Sequence, residues 1–336
     1  MSDFKINSIA TKQGQHGPVI AGVSTVNSTG CMKIPSGITG HRGGRGRMVT
    51  YGGSDGSNYL NSMNTMDIAT TGSAVDFGDS SKTNGFSSGM ASSTRGVFKQ
   101  GRSPGYTGIM EFVNFSSLGG VTDFGSDEGI QQDSSASSAD NTRGIFGNGT
   151  GYDGKIRFIT LASTGDTSEF GNLSQGMYMG GGSGGASQTR GFFFGGRTPA
   201  PAVVNTIDFV TIQTKGDATD FGDLTVARRA IAAVTNATRA VACSGDTPAT
   251  NTMDFITMAS EGNATDFGDI TRQPDGYGAG GSTQIRGVIS GCDTDPKNSI
   301  DYITFSTTGN ATDFGDTTYN SYLNGACSDS HGGLAQ

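Results

Sequence analysis

Residues 251–269 read NTMDFITMASEGNATDFGD, and versions of this phrase stand at six places along the 336-residue chain. Its most regular part is an acidic residue followed by Phe-Gly, with the aromatic at Phe77, Phe124, Phe170, Phe221, Phe267 and Phe314. The intervals are 47, 46, 51, 46 and 47 residues. A period of this length marks an array of supersecondary units, each burying its apolar face against its neighbours.

Working outward from the Phe-Gly pair, each unit resolves into four short segments. Arg47, Arg95, Arg143, Arg190, Arg239 and Arg286 each open a strand such as RGFFFGG at 190–196, whose glycines mark a tight turn. A second strand follows at 66–71, 110–115, 156–161, 207–212, 253–258 and 300–305. Both of its alternating columns are largely apolar, as in a strand covered on two faces. A Ser/Thr-Gly-Asn/Asp turn leads to a third strand around TDFGD. The fourth segment, at 85–91, 134–139, 180–186, 230–234, 276–281 and 323–328, is mostly Ser, Gly and Ala. Side chains this small are needed where several sheets converge on one axis, which is the geometry of a β-propeller.

The ends of the array test the closure. Phe221 to Arg239 is 18 residues, and Phe314 to Gly332 is also 18, with a small-residue strand before it. The first unit begins at Arg47 without such a strand. The expected fold is therefore all-β, a six-bladed propeller over residues 47–336. A C-terminal strand at about 318–331 completes the first blade, so no sheet edge is left open at the junction. Residues 1–46 lie outside the repeats. They carry a β-branched stretch, PVIAGVSTV at 18–26, and read as an extended N-terminal docking arm.

Composition narrows the function classes. Glycine supplies 56 residues and tryptophan none, while charged residues make up only 15%. The glycines follow the repeat, so they belong to turns and crowded backbone rather than to collagen or disorder. A net charge of −8 with no basic run beyond 41–47 argues against a nucleic-acid partner. Residues 1–12 have no apolar run of a signal peptide, and no stretch is long enough to span a membrane. Cys31, Cys243, Cys292 and Cys327 form no CxxC and read as free thiols of a protein made in the host cytoplasm.

The order small-residue strand, strand ending in Gly-Gly, apolar strand with an acidic residue (Ile207-Asp208-Phe209), aromatic strand and Arg is similar to Kelch repeats. The resemblance covers 47–331, with the six phenylalanines where Kelch repeats have a Trp and the di-glycine incomplete at Gln100-Gly101 and Gly147-Asn148. Together with the leader SIATKQGQHGPVIAGVSTVNSTGCM at 8–32, it also resembles structural proteins of tailed phages of marine cyanobacteria. That second resemblance implies a virion component.

Candidate chemistry starts with the acidic column Asp76, Asp123, Glu169, Asp220, Asp266 and Asp313. Six equivalent copies cannot make one asymmetric active site, so the column reads as structural: a turn, or an inter-blade pair with the six arginines. Because sialidases are also six-bladed propellers, an enzyme must be weighed. Glycoside hydrolysis needs residues that break the symmetry, and Glu111, Arg157, Arg228, Arg229 and Asp295 do so without forming a recognisable constellation. His16, His41 and His331 lie near the ends, and DGSN at 55–58 and DTDP at 293–296 lack the spacing of a Ca²⁺ loop. The glycine run at 180–185 has no following helix or Lys to cradle a phosphate. No cofactor or metal is expected.

Loops that differ between blades are where recognition sits on a rigid scaffold. The longest, Arg197-Thr198-Pro199-Ala200-Pro201, is the candidate partner-binding loop. The expectation is a non-enzymatic structural protein of a phage virion that meets other virion proteins through its arm. The rivals are a propeller binding a host surface glycan and a glycosidase-like enzyme.

Overall fold

A computed structural model describes residues 46–127, 133, 135–147, 149–178, 184–200, 202–272, 278–291, 293–294 and 296–334, together with the backbone of 24–25 and 32–33. The chain divides into two units, Met1–His41 and Arg42–Gln336. In the first, Ser24–Thr25 pairs antiparallel with Met32–Lys33; the remainder of the expected docking arm, up to residue 45, falls outside the described residues.

The second unit is a six-bladed β-propeller. Each blade is a four-stranded antiparallel sheet. The inner strands are Gly325–Ser328, Ser88–Ala91, Ala136–Ala139, Gly184–Ala186, Ala232–Thr235 and Ala279–Ser282, the small-residue segments of the sequence. Beside them run Arg47–Tyr51, Arg95–Lys99, Arg143–Gly147, Arg190–Arg197, Arg239–Gly245 and Arg286–Ser290. The third strands are Leu60–Asp67, Ile109–Asn114, Lys155–Thr160, Val203–Thr211, Thr250–Thr257 and Ser299–Thr304. The outer strands are Val75–Asn84, Thr122–Ser126, Ser168–Asn172, Thr219–Asp223, Thr265–Asp269 and Thr312–Asp316. Blade 1 is closed by the C-terminal strand, with Cys327 opposite Val49 and Ser328 opposite Met48. In that blade the third strand aligns with the others from Met63, not Met66, because Met63 pairs with Gly78 as Met253 does with Gly268.

The Phe-Gly phrase is explained by how blades join. The pairing of third and outer strands slips by one residue in every blade; between Met253/Asp254, for example, the slip leaves Phe267 unpaired. This bulge turns the aromatic into the core, where Phe267 is 2% exposed and meets Phe255 edge-on at 5.9 Å. In five of the six blades the following glycine takes a positive φ, +145° at Gly222, where it lies against the next blade and an added Cβ would sit 2.5 Å from the Gly262 carbonyl. The turn of that next blade donates to the phenylalanine carbonyl in all six junctions: Gly119 to Phe77, Gly165 to Phe124, Gly216 to Phe170, Gly262 to Phe221, Gly309 to Phe267 and Gly72 to Phe314. Phe-Gly is thus a joint between neighbouring sheets.

The six arginines make a second joint. Nη1 of Arg95, Arg143, Arg190, Arg239 and Arg286 donates to the carbonyls of Leu161, Ile212, Met258, Phe305 and Ile68 in the next blade, at 2.7–3.1 Å. Arg47 reaches the Phe115 carbonyl in the same way. Five of them also lie over an aromatic ring of their own blade, as Arg190 does over Phe209 at 4.7 Å. Blade 1 has Thr65 at the equivalent position.

Candidate recognition face

The antiparallel order sorts the connections onto two faces. Hairpin turns from inner to second strand and from third to outer strand share one face, and the joints just described occupy it. The second-to-third loops and the crossovers to the next blade share the other. This loop face carries the differences between blades.

Tyrosine shows the division most clearly. Of the eight described tyrosines, Tyr59, Tyr106, Tyr152, Tyr178, Tyr319 and Tyr322 fall in loop-face segments or their bridges, and Tyr51 and Tyr302 lie in blade strands. Tyr277 is outside the described residues. Three aromatic–cation groups stand around the face. The Arg102 guanidinium lies over Tyr106 at 4.8 Å and Phe86 at 5.3 Å, donates to the Tyr106 hydroxyl at 2.9 Å, and pairs with Asp133. Tyr106 is 46% exposed. Arg229 lies over Tyr178 at 5.4 Å and pairs with Asp246 at 2.6 Å, and Tyr152 sits 6.2 Å from Tyr178. Lys297 lies over Tyr322 at 5.1 Å.

The candidate loop is the tip of the blade 4 hairpin. Arg197 pairs through its backbone with Tyr178, Thr198 N–H donates to the Ala202 carbonyl at 2.9 Å, and Pro199 and Ala200 are exposed. Pro201 is outside the described residues. The hairpin therefore belongs to the same face as the tyrosine groups.

Beneath the loops runs a ring of polar residues, one per blade: Asn64, Glu111, Asp208, Asp254 and Asp301, all buried, and the partly buried Arg157. Their common place is the residue after the bulge-facing apolar position. In four blades this residue latches the incoming crossover. Asp254 accepts from the Thr225 hydroxyl at 2.6 Å, Asp301 from Thr271 at 2.7 Å, Asp208 from Ser174 at 2.9 Å, and Asn64 from Thr318 at 2.8 Å. Burial holds the Asp208 and Asp301 carboxyls above the usual carboxylate range, against the hydrogen bonds from Ser174 and Thr271. Blade 5 adds Arg228, fully buried, with Nη1 2.7 Å from Asp254.

Blades 2 and 3 depart from this pattern. Glu111 accepts from the Tyr51 hydroxyl and, at 3.2 Å, from Gln100. Burial raises the Tyr51 hydroxyl well above its ordinary value, and the Glu111 charge adds to the effect. At blade 3 the polarity is reversed: Arg157 faces Asp127 of the crossover at 3.5 Å, and Asp127 is also 3.2 Å from Lys99. Burial pulls the Lys99 ammonium down, with Asp127 opposing. Of the five symmetry-breaking residues, Glu111 and Arg228 are thus buried supports and Arg157 a partly buried one, whereas Arg229 is on the loop face and Asp295 is outside the described residues.

The acidic column differs from one reading of it. Asp76, Asp123, Glu169, Asp220, Asp266 and Asp313 are exposed on the outer strands, and no ion pair joins them to the arginines, which bind carbonyls instead. The bulge is the reason: burying Phe267 points its neighbour Asp266 to solvent, where the carboxylate accepts from Gly268 N–H at 3.2 Å. Exposed charge on each blade's outermost strand also discourages edge-to-edge pairing with other chains. The DGSN loop is a turn closed by Asp55, which accepts from Ser57 and Asn58 N–H at 2.7 Å; those bonds hold its carboxyl below the usual range. Cys243 and Cys327 are buried free thiols, pushed up by burial. Among the described residues no group of three or more His, Cys, Asp or Glu could hold a metal ion, and no helix is long and apolar enough to cross a membrane.

No protein-family model matches the chain, and no curated protein matches it. The functional reading therefore rests on the geometry of the loop face.

Proposed function

We propose that the chain is a non-enzymatic structural and interaction protein of a phage virion, a Kelch-like propeller held to the particle by residues 1–46. Its loop face meets the partner. The gathering of six of the eight described tyrosines on that face carries this reading. Tyrosine combines a large rigid contact area with a polar tip at small entropy cost, and with Arg it dominates binding hot spots. The residues that recur in every blade support the same division, since they serve the joints and the edges. Nucleic acid and membrane insertion are not part of the proposal.

Two variants in a virus-producing culture test it. Deleting 1–46 is expected to yield a soluble propeller that is missing from purified particles; normal incorporation overturns the anchoring role. The full chain with Arg102→Ala, Tyr106→Ala and Tyr322→Ala is expected to enter particles but adsorb poorly to host cells. Unchanged adsorption overturns the loop-face role.

A glycan ligand is the second reading, favoured by the exposed Tyr106 ring beside the Arg102 guanidinium. A ring face and a hydrogen-bonding fork suit a sugar's apolar face and its hydroxyls. Screening the full chain against host polysaccharides checks it, and an empty screen turns the proposal toward a protein partner.

A further inference from the structure

The axial channel is narrow, enclosing a cavity of about 50 Å³ walled by Gly89, Ser137, Gly184, Ala233, Gly280 and Ala326 among others. Its turn-side mouth is rimmed by the last residues of the inner strands, Ala91, Ala139, Ala186, Thr235, Ser282 and Ser328. The segment 329–334, which follows the closing strand, lies across that mouth and touches every blade. Asp329 N–H donates to the Arg47 carbonyl at 3.1 Å, and its carboxylate accepts from Arg47 N–H at 2.9 Å, prolonging the blade 1 ladder. The Ser330 hydroxyl donates to the Ser282 carbonyl of blade 6 at 3.3 Å. Gly332 N–H donates to the Thr235 carbonyl of blade 5 at 3.0 Å.

His331 reaches blade 2, with Nε2 2.8 Å from the Ala91 carbonyl, while its Nδ1 accepts from Gly333 N–H at 3.1 Å. These partners require the proton on Nε2. The side-chain amide of Gln284 in blade 6 donates to the Ser330 and His331 carbonyls at 3.4 and 3.3 Å. The two glycines fit by backbone alone: an added Cβ on Gly332 would strike Asn236 and the Ala186 carbonyl, and one on Gly333 the Ala139 carbonyl. Leu334 closes the segment at 2% exposure.

We infer that the turn-side mouth is a binding site for a turn-forming peptide with two consecutive glycines followed by a hydrophobic residue, filled here by the chain's own residues 329–334. The occupant closes the channel on that face and clasps six blades at once, so any access to the axis is from the loop face. The inference is independent of the proposed function, which concerns the opposite face.

The test uses the full chain and a synthetic peptide of residues 329–336, DSHGGLAQ, with a fluorescent label. In the wild type the Gly332 and Leu334 amides are expected to exchange with deuterium at least tenfold more slowly than in the free peptide, and the added peptide does not bind. Gly333→Val unseats the segment in cis; exchange accelerates toward the free-peptide rate, and the labelled peptide binds the vacated mouth, as read by anisotropy. A peptide carrying the same valine does not bind. Gln284→Ala, milder and outside the segment, accelerates exchange several-fold and keeps the test open should the valine variant not fold. Free-peptide exchange rates in the wild type, or a folded Gly333→Val chain that leaves the wild-type peptide free in solution, overturn the assignment.

Discussion

Asp208 and Asp254 occupy the same place in neighbouring blades and are both buried, yet removing their charge should have opposite consequences. At Asp254 the carboxylate faces the Arg228 guanidinium at 2.7 Å, and both side chains are fully shielded from solvent. After Asp254→Asn, Arg228 keeps its bonds to the carbonyls of Ser244 at 2.8 Å, Ala242 at 3.1 Å and Val226 at 3.3 Å, but no counter-charge. An uncompensated buried cation costs roughly 3–5 kcal/mol. Asp208 has no such partner; the pull on its titration is burial, which favours the neutral form. Asparagine there keeps an acceptor for Ser174 N–H and hydroxyl, both 2.9 Å away. Blade 1 already uses Asn64 in this role. Asp208→Asn should therefore change stability by less than about 1 kcal/mol, in the stabilising direction.

Urea denaturation at pH 7 separates the two. With a slope near the upper end of the usual range, about 3 kcal/mol/M, the Asp254→Asn midpoint should fall by roughly 1 M or more. That of Asp208→Asn should stay or rise. The double change Arg228→Met with Asp254→Leu closes the argument, because replacing a buried pair by apolar side chains of similar volume is commonly neutral or stabilising. Equal midpoints for the two single variants, or a double variant as weak as Asp254→Asn, would refute the account of the polar ring.

Other outcomes follow from the same geometry. Because the folded state raises the Asp208 pKa above 3.8, the fold binds its proton more tightly than the unfolded chain does. That contribution is complete below 3.8 and is lost as pH rises through the folded value, so the advantage of Asp208→Asn over wild type should grow between pH 4 and pH 7 in denaturation midpoints. Gly222→Ala, forced to a φ of +145° and against the Gly262 carbonyl, should cost about 2–4 kcal/mol by thermal unfolding, whereas Gly105→Ala, with open space around its Cβ, should cost less than about 0.5. Arg190→Met, which keeps packing on Phe209 but loses the bond to Met258, should cost about 1–2 kcal/mol. Ending the chain after Asp316 removes the strand paired with Arg47–Tyr51; loss of cooperative unfolding and aggregation should appear by size-exclusion chromatography, and a monomer of unchanged stability would rule out closure by that strand.

The six-fold repeat made the architecture legible because Phe-Gly, the arginine and the small-residue strand each do one repeated job. What stayed hidden lay where one residue serves two demands. MNTMDI in blade 1 offers two methionines three apart, and only the pairing of Met63 with Gly78 decides between them. The acidic column sits beside a buried aromatic, and a bulge, which sequence periodicity does not reveal, sends it outward. Asp254 and Glu111 stand in strands covered on both faces, where alternation no longer separates inside from outside. Residues 329–334 lie beyond the last repeat, so no period pointed to them.

The two faces differ in how freely their chain can change. On the turn face, a turn such as 162–167 is committed at several points: Gly165 donates to Phe124 at 2.7 Å, Thr167 N–H to the Ser126 carbonyl at 3.0 Å, and Asp166 accepts from Ser126 N–H at 2.8 Å. Each bond crosses to the neighbouring blade, so altering the turn loosens the ring. On the loop face the crossover is fixed below the surface, by Thr225 on Asp254 or Ser174 on Asp208, and the tips above carry few such bonds. Replacing 198–202 with a flexible Gly-Ser stretch of equal length should consequently leave the unfolding temperature within about 2 °C of wild type, since among the described residues the hydrogen bonding lost is that between Thr198 and Ala202 at the tip. The same replacement at 162–166 should lower it by several degrees or more. If both exchanges prove equally harmful, the loops are part of the wall, and recognition cannot vary independently of the ring that carries it.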